Sequence, residues 1–171
     1  MFKISSIVRR LAVGLAAASL MLGTVSAPAS AEASGKTTIL AVHGVWKSFS
    51  SRSNRKTLLG IMTKMNKGGT TAIVTDGDTV SLILTDPSWN LKVNRRVPVR
   101  VTVDGHTLTG TAVVTSSDMI EMEDLTSNAV KELADGDEAV IDVNEGDIVW
   151  TLNLNGFTAA MGDIARLYKT S

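Results

Sequence analysis

The chain has 171 residues, a formal net charge of zero, two histidines and no cysteine. That length suits one core rather than two. The composition, 44% hydrophobic but only 4% aromatic, is that of a folded protein whose core is built from Val, Ile, Leu, Met and Ala. The missing thiols exclude disulfides, thiol catalysis and cysteine metal sites.

The first residues read as an export signal. Lys3, Arg9 and Arg10 supply a positive start, Leu11 to Leu22 is a near-continuous apolar run of twelve, and Ala29-Ser30-Ala31 matches a small-residue cleavage site. The run is short of the roughly 20 residues that a membrane-spanning helix needs. Cleavage after Ala31 is therefore expected, giving a mature start at Glu32, a flexible leader over 32–37 and a globular domain over 38–171. The residues after Arg9-Arg10 fit the twin-arginine pattern only in part, which favours the general secretory route. No cysteine follows the run to carry a lipid.

From Thr38 onward the pattern is mostly two-fold alternation with turn punctuation. Ile39 to Phe49 reads as one strand and Thr57 to Met65 as a second, with Leu59, Ile61, Thr63 and Met65 on one face. Lys67-Gly68-Gly69 turns the chain. Thr71 to Thr75 and Thr79 to Thr85 flank Asp76-Gly77, read as a hairpin turn with positive φ at both positions. Asp86-Pro87 ends that strand, and Trp89 to Val93 reads as a short strand or edge. Val97 to Val103 and His106 to Thr115 flank Asp104-Gly105, a second hairpin of the same kind, with Val97, Val99, Val101 and Val103 facing the core. Met119 to Glu123 reads as a short strand. Thr126 to Ala134 reads as a helix, with caps among Asp124 to Ser127 and a stop at Gly136.

Ala139 to Val143 and Ile148 to Leu154 flank a third turn, Asn144 to Asp147. After Gly156, Thr158 to Lys169 reads as a helix. Its apolar face comprises Phe157, Ala160, Met161, Ile164 and Leu167 or Tyr168, which makes it a lid over the preceding strand, with Asp163 on the polar side and of little consequence for stability. Strands without a regular βαβ alternation predict an α+β fold, mainly antiparallel β. The expected shape is a curved sheet, sandwich or partial barrel, capped by the C-terminal helix and carrying one further short helix.

Candidate chemistry is sparse. His43 and His106 are the only imidazoles, and no Gly-x-Ser-x-Gly accompanies them. Two histidines without cysteine do not make a zinc site. Ser53-Asn54-Arg55-Lys56 spells a Ser-x-x-Lys string but has no downstream Ser-Asp-Asn or Lys-Thr-Gly. Asp142, Asn144 and Asp147 suggest a calcium loop, yet Gly146 stands fifth where the EF-hand spacing wants it sixth, so a polar turn is the better reading. No catalytic residue, metal or cofactor follows from the sequence.

The charges are segregated by half. Lys36 to Arg100 holds eleven Lys/Arg against three Asp/Glu, and Val101 to Ser171 holds three against thirteen. An antiparallel fold that interleaves the halves would neutralise them across strands. A fold that keeps them apart leaves basic residues for an anion or an acidic partner. Arg52, Arg55, Lys56, Arg95 and Arg96 are the candidates for such an anion- or partner-binding patch, with Lys47, Lys92 and Arg100 nearby in sequence. Nucleic acid is not expected, because interleaved aromatics are missing.

The C-terminal run Val149-Trp150-Thr151-Leu152-Asn153-Leu154-Asn155-Gly156-Phe157-Thr158-Ala159-Ala160-Met161 resembles the ending of small exported proteobacterial proteins of the invasion-associated locus B type: a strand, then Gly-Phe-x-x-Ala, then a short helix. A looser, uncharacterised group adds a tryptophan near the mature start and a second before a Val-x-Val-x-x-Asp-Gly strand. Trp46, Trp89 and Val99-Arg100-Val101-Thr102-Val103-Asp104-Gly105 fall in that order, so the resemblance covers most of the mature chain. Such relatives tend to carry cysteines after the first tryptophan and in the closing helix. This chain has none, and Tyr168 stands about where the last would be. The resemblance carries no catalytic residues. It implies a non-enzymatic exported domain, periplasmic or secreted, that binds a protein or an anionic envelope component. The alternative is a small periplasmic hydrolase or enzyme inhibitor whose site has no sequence signature.

Overall fold

The computed structural model describes residues 36–53, 56–65 and 68–169. The expected signal over 1–31, most of the leader and Arg55 lie outside the described residues. Ten strands form one antiparallel sheet: β1 (Lys36–His43), β2 (Trp46–Ser53), β3 (Lys56–Lys64), β4 (Thr70–Thr75), β5 (Val80–Thr85), β6 (Arg96–Val103), β7 (His106–Ser116), β8 (Met119–Met122), β9 (Glu138–Val143) and β10 (Ile148–Asn153). Two helices complete it, α1 (Ser127–Asp135) and α2 (Phe157–Lys169). The strand order is β1-β2-β3-β4-β5-β8-β7-β6-β9-β10. The α+β, mainly antiparallel expectation therefore holds, in its partial-barrel form: the sheet curls but β1 and β10 do not pair.

Alternation decides the two faces. Ile61, Ile73, Leu82, Leu84, Val114 and Ile120 point inward, as do Val97, Val99, Val101 and Val103, and they pack with Leu133 of α1 and Phe157, Ala160 and Ile164 of α2 in one core. The opposite face of β2, β3, β4, β5 and β8 carries a second buried cluster: Phe49, Ala72, Val74, Ile83 and Met119, with Met62 against it. Buried residues on both faces explain why β4 and β5 read as continuous apolar runs and not as clean alternation. Gly60 is required in this second layer, because a Cβ there would sit 2.8 Å from the Phe49 ring that covers it.

Two turns and a helix cap follow the sequence. Asp104 and Gly105 both adopt positive φ, at 48° and 84°, as a two-residue hairpin demands. Asn144, Glu145 and Gly146 turn β9 into β10, again with positive φ. α1 is capped where expected: the Thr126 hydroxyl accepts from the Ala129 N–H at 3.2 Å, and the Gly136 N–H donates to Glu132.

Four expectations need correction. Ile39 to Phe49 is two strands, because Gly44, at φ +56°, reverses the chain between His43 and Trp46. β1 also starts at Lys36, two residues inside the stretch read as leader. Asp76-Gly77 is not a two-residue turn: the connection runs over 76–79, Gly77 alone has positive φ, and the Asp76 carboxylate accepts from the N–H groups of Asp78 and Thr79. An Asx cap of this kind replaces the second left-handed residue. Trp89 to Val93 is a loop whose tryptophan leaves the sheet to stack on Trp150, ring centroids 5.0 Å apart.

The closing helix is a lid, but over different strands than the one before it. α2 packs chiefly on β1, β2 and β3, with a smaller contact to α1. Phe157, Ala160 and Ile164 are buried, Met161 is half-buried, and Leu167 and Tyr168 are exposed. Phe157 meets Trp46 edge to face at 5.0 Å, both fully buried. Gly156 makes this approach feasible: at φ +92°, a Cβ there would fall 1.9 Å from the His43 carbonyl oxygen.

Truncating a packed phenylalanine costs about 3–5 kcal/mol, against the roughly 5–15 kcal/mol that stabilises a domain of this size. Thermal denaturation followed by circular dichroism should show Phe157→Ala melting far below the parent chain. Gly156→Ala should also melt lower, because it meets both the left-handed φ and the His43 carbonyl. Unchanged melting of both variants would contradict the packing of α2.

Candidate functional site

A His–Asp–Ser convergence lies where α2 crosses β1 and β2. His43, the last residue of β1, donates from Nε2 to Asp163 Oδ2 at 2.7 Å. Ser48 on β2 donates from Oγ to the same oxygen at 2.8 Å. Arg166, one turn on in α2, bonds the other carboxylate oxygen. These bonds hold the Asp163 carboxyl below its ordinary value of 3.8, the His43 bond first and the Ser48 bond second, with burial opposing them.

This arrangement contains the residue types of a hydrolytic triad in the wrong order. A triad places histidine between serine and carboxylate, so that the imidazole takes the serine proton. Here the carboxylate is in the middle, Ser48 is fully buried and its hydroxyl proton is already committed to Asp163. The group is a clamp that ties the helix to the first hairpin. The expectation that Asp163 sits on an inconsequential polar side is thereby corrected. Helical periodicity sets Asp163 at the flank of the apolar face, about 60° from Ala160 and about 100° from Ile164, but does not reveal the polar side chains of β1 and β2 that rise to meet it.

Other candidates resolve into structure. His106 is exposed at the head of β7. Ser53 and Lys56 face each other across the β2–β3 hairpin and not along a helix turn, so the Ser-x-x-Lys string has no catalytic geometry. In the third turn, Asp142 accepts from the Gly146 N–H at 2.7 Å and pairs with Arg100 at 2.9 Å, while Asn144 bonds Asp147. Those carboxylates have protein partners, and among the described residues no three His, Cys, Asp or Glu converge on a metal position. A shallow hollow of about 190 Å³ beside this turn is lined by Pro98, Arg100, Thr109, Asp142 and Glu145. On the second buried face, Glu121 lies opposite Ile83. Burial pushes its carboxyl above the ordinary 4.5, Glu123 adds to the rise, and a bond to Ser81 offsets part of it.

The basic candidates fall into two groups. Arg52 and Lys56 are exposed beside the 54–55 connection of the β2–β3 hairpin, where Arg52 stands opposite Thr57 and Ser53 opposite Lys56. Lys56 is paired with Asp76 at 3.2 Å. Arg95 and Arg96 are exposed at the start of β6, with four strands between β3 and β6 in the sheet. β1 to β5 are contiguous, but β6, whose residues up to Arg100 belong to the basic half, lies between β7 and β9 of the acidic half. Cross-strand neutralisation between the halves therefore occurs at β6, where Arg100 pairs with Asp142 of β9, while Arg52 and Lys56 lie among strands of their own half.

Asp163→Ala should lower stability by about 1–3 kcal/mol, since it removes the bonds from His43, Ser48 and Arg166 and leaves the buried Ser48 hydroxyl without its acceptor. Asp163 titrates lower folded than unfolded, so its contribution is full above the unfolded value. It is lost as the pH falls from about 3.8 through the lower folded value. Urea titrations at neutral pH and at pH below that window should show the parent and the variant converging in acid. A constant difference at all pH values would remove the clamp from the account.

No protein-family model and no curated protein matches the chain by sequence. Its fold is similar to a solved structure, the crystal structure of invasion associated protein B from Bartonella henselae, with a TM-score of 0.57 and 19% identity over 77% of this chain and 99% of that one. The likeness in fold is thus to the same group that the Gly156-Phe157 ending and the order of Trp46, Trp89 and Asp104-Gly105 resemble.

Proposed function

We propose that the chain is an exported, non-enzymatic domain that binds a protein or an anionic envelope component through its surface. The observation that carries this reading is the fold likeness, which spans 99% of an invasion-associated protein. The charged start, the twelve-residue apolar run and the Ala-Ser-Ala site support export. No helix among the described residues is long and apolar enough to cross a membrane. The His43–Asp163–Ser48 group supports a non-catalytic reading, because its protons are used to hold α2 in place. The exposed pairs Arg52/Lys56 and Arg95/Arg96 are the contact candidates, acting as two separate corners and not as a single cluster.

Two measurements test the proposal. Intact mass of the protein released from the periplasm should correspond to loss of the first 31 residues; full-length protein in the membrane fraction would count against export by this signal. Co-sedimentation with lipopolysaccharide should be salt-sensitive, because exposed charges are screened beyond about 10 Å at 0.1 M salt. Arg52→Glu with Lys56→Glu, and separately Arg95→Glu with Arg96→Glu, should identify which corner makes the contact. Binding that neither pair weakens, or that salt leaves unchanged, would retire the anionic ligand.

A further inference from the structure

We propose that the free edge of β1 forms a symmetric dimer interface, in which β1 of one copy pairs antiparallel with β1 of a second copy. β1 ends the sheet among the described residues, and β2 occupies only one of its two edges. Its other row of backbone N–H and C=O groups is a template for one more strand. The side chains along it are apolar and exposed: Ile39 at 47%, Leu40 at 42%, Val42 at 61%, and Val45 in the following turn at 45%.

Sheet edges are ordinarily blunted by charge, proline or a bulge. Thr37 to Val42 contains no charge and no proline, and Lys36 guards only the first position. A bulge is present at Leu40, between the pairs Ile39–Phe49 and Ala41–Ser48. It breaks the alternation so that Thr37, Ile39 and Val42 lie on one face and Thr38, Ala41 and His43 on the other. The opposite edge, β10, differs: its one large exposed hydrophobic is Val149, and Trp150 is covered by the Trp89 ring.

The bulge selects a second copy as the occupant. With a two-fold axis between Leu40 and Ala41, Ile39 faces Val42 of the other copy on one face, and Thr38 faces His43 on the other. Leu40 faces Ala41, and Lys36 falls opposite Val45. Ile39 with Val42, and Thr38 with His43, then meet on a shared face, no like charges oppose each other, and the β-branched Ile39–Val42 pair forms twice over. Because the contact is isologous, it uses up the edge in both copies and stops at two.

Sedimentation velocity on the protein expressed from its full coding sequence should show a concentration-dependent monomer–dimer equilibrium. Ile39→Lys with Val42→Lys sets lysine against lysine twice and should raise the dissociation constant about tenfold or more. Ile39→Lys with Val42→Glu sets lysine against glutamate twice and should restore dimer relative to the lysine pair. The parent has no cysteine, so a single Leu40→Cys should cross-link between copies with a short bismaleimide, and Val149→Cys should not. The cross-link decides the matter even if the lysine pair fails to fold. A parent chain that stays monomeric up to about 1 mM, a lysine pair that folds and dimerises as well as the parent, or cross-linking through position 149 in place of 40 would overturn the proposal.

Discussion

The constraint on which the rest of this structure depends is an unfinished barrel. Ten strands curl far enough to bring the end of β10 beside the first hairpin, but their edges do not hydrogen-bond. Closure falls to side chains. The Trp46 indole N–H donates to the Asn153 carbonyl at 2.9 Å, which joins the start of β2 to the last residue of β10. Phe157, the fourth residue after β10, turns its ring against the same indole. Gly156 lets the backbone pass against the His43 carbonyl, and a Cβ on Gly44 would in turn fall 2.6 Å from the Asn155 carbonyl oxygen. A buried tryptophan must find an acceptor for its N–H. Here that requirement and the need to shut the seam are met by one bond. At the far side of β10, Trp150 stacks on Trp89 and lies against Gly69 of the β3–β4 turn, so tryptophans hold the last strand from both directions.

Burial and charge follow from that geometry. Because α2 enters directly from the seam, it lands on β1, β2 and β3, and its buried residues complete the inner core. Because β1 to β5 run consecutively before the sheet takes up β8, most of the basic half lies together, and β6 alone carries basic residues of that half in among the strands of the acidic half. Lys56–Asp76 is an ion pair within the basic half, whereas Arg100–Asp142 joins the halves across β6 and β9. The His43–Asp163 contact also spans them, and it sits at the seam.

What the sequence could reveal tracks how local the cause is. Asp104-Gly105 was legible because a two-residue turn needs left-handed φ at both positions and that pair supplies it. The cap at Thr126 and the stop at Gly136 were legible for the same reason. Gly44 was not, because Val42-His43-Gly44-Val45-Trp46 continues the apolar rhythm across the reversal and a single glycine in a strand pattern also fits a bulge. The Asp76 turn was misassigned because the same aspartate can supply a left-handed residue or cap the turn through its side chain, and the two differ only in conformation. Trp89 left its expected strand for a partner 61 positions away in sequence. The clamp lay furthest from reach: Asp163 is more than a hundred residues from both His43 and Ser48, and each alone looks like an ordinary surface polar residue. The basic residues were visible as composition, but their division between two corners depends on the strand order.

The clamp holds the closing helix in a chain that has no cysteine. Small domains often gain much of their stability from disulfides. Here Ser48 stands two residues after Trp46, and Asp163 lies in the closing helix. Their hydrogen bond, with His43 on the same oxygen, joins the first hairpin to that helix. Tyr168 stays exposed, close to Gly77 of the β4–β5 turn, so it serves a different contact. Such a joint differs physically from a disulfide. A disulfide constrains the unfolded chain and is broken by reductant. A shared carboxylate acts only in the folded state, is indifferent to redox conditions and weakens when acid protonates it. A chain held in this way keeps its closing helix in place through proton chemistry and packing, and the completeness of the Trp46–Phe157 seam is what allows it to do without a covalent link.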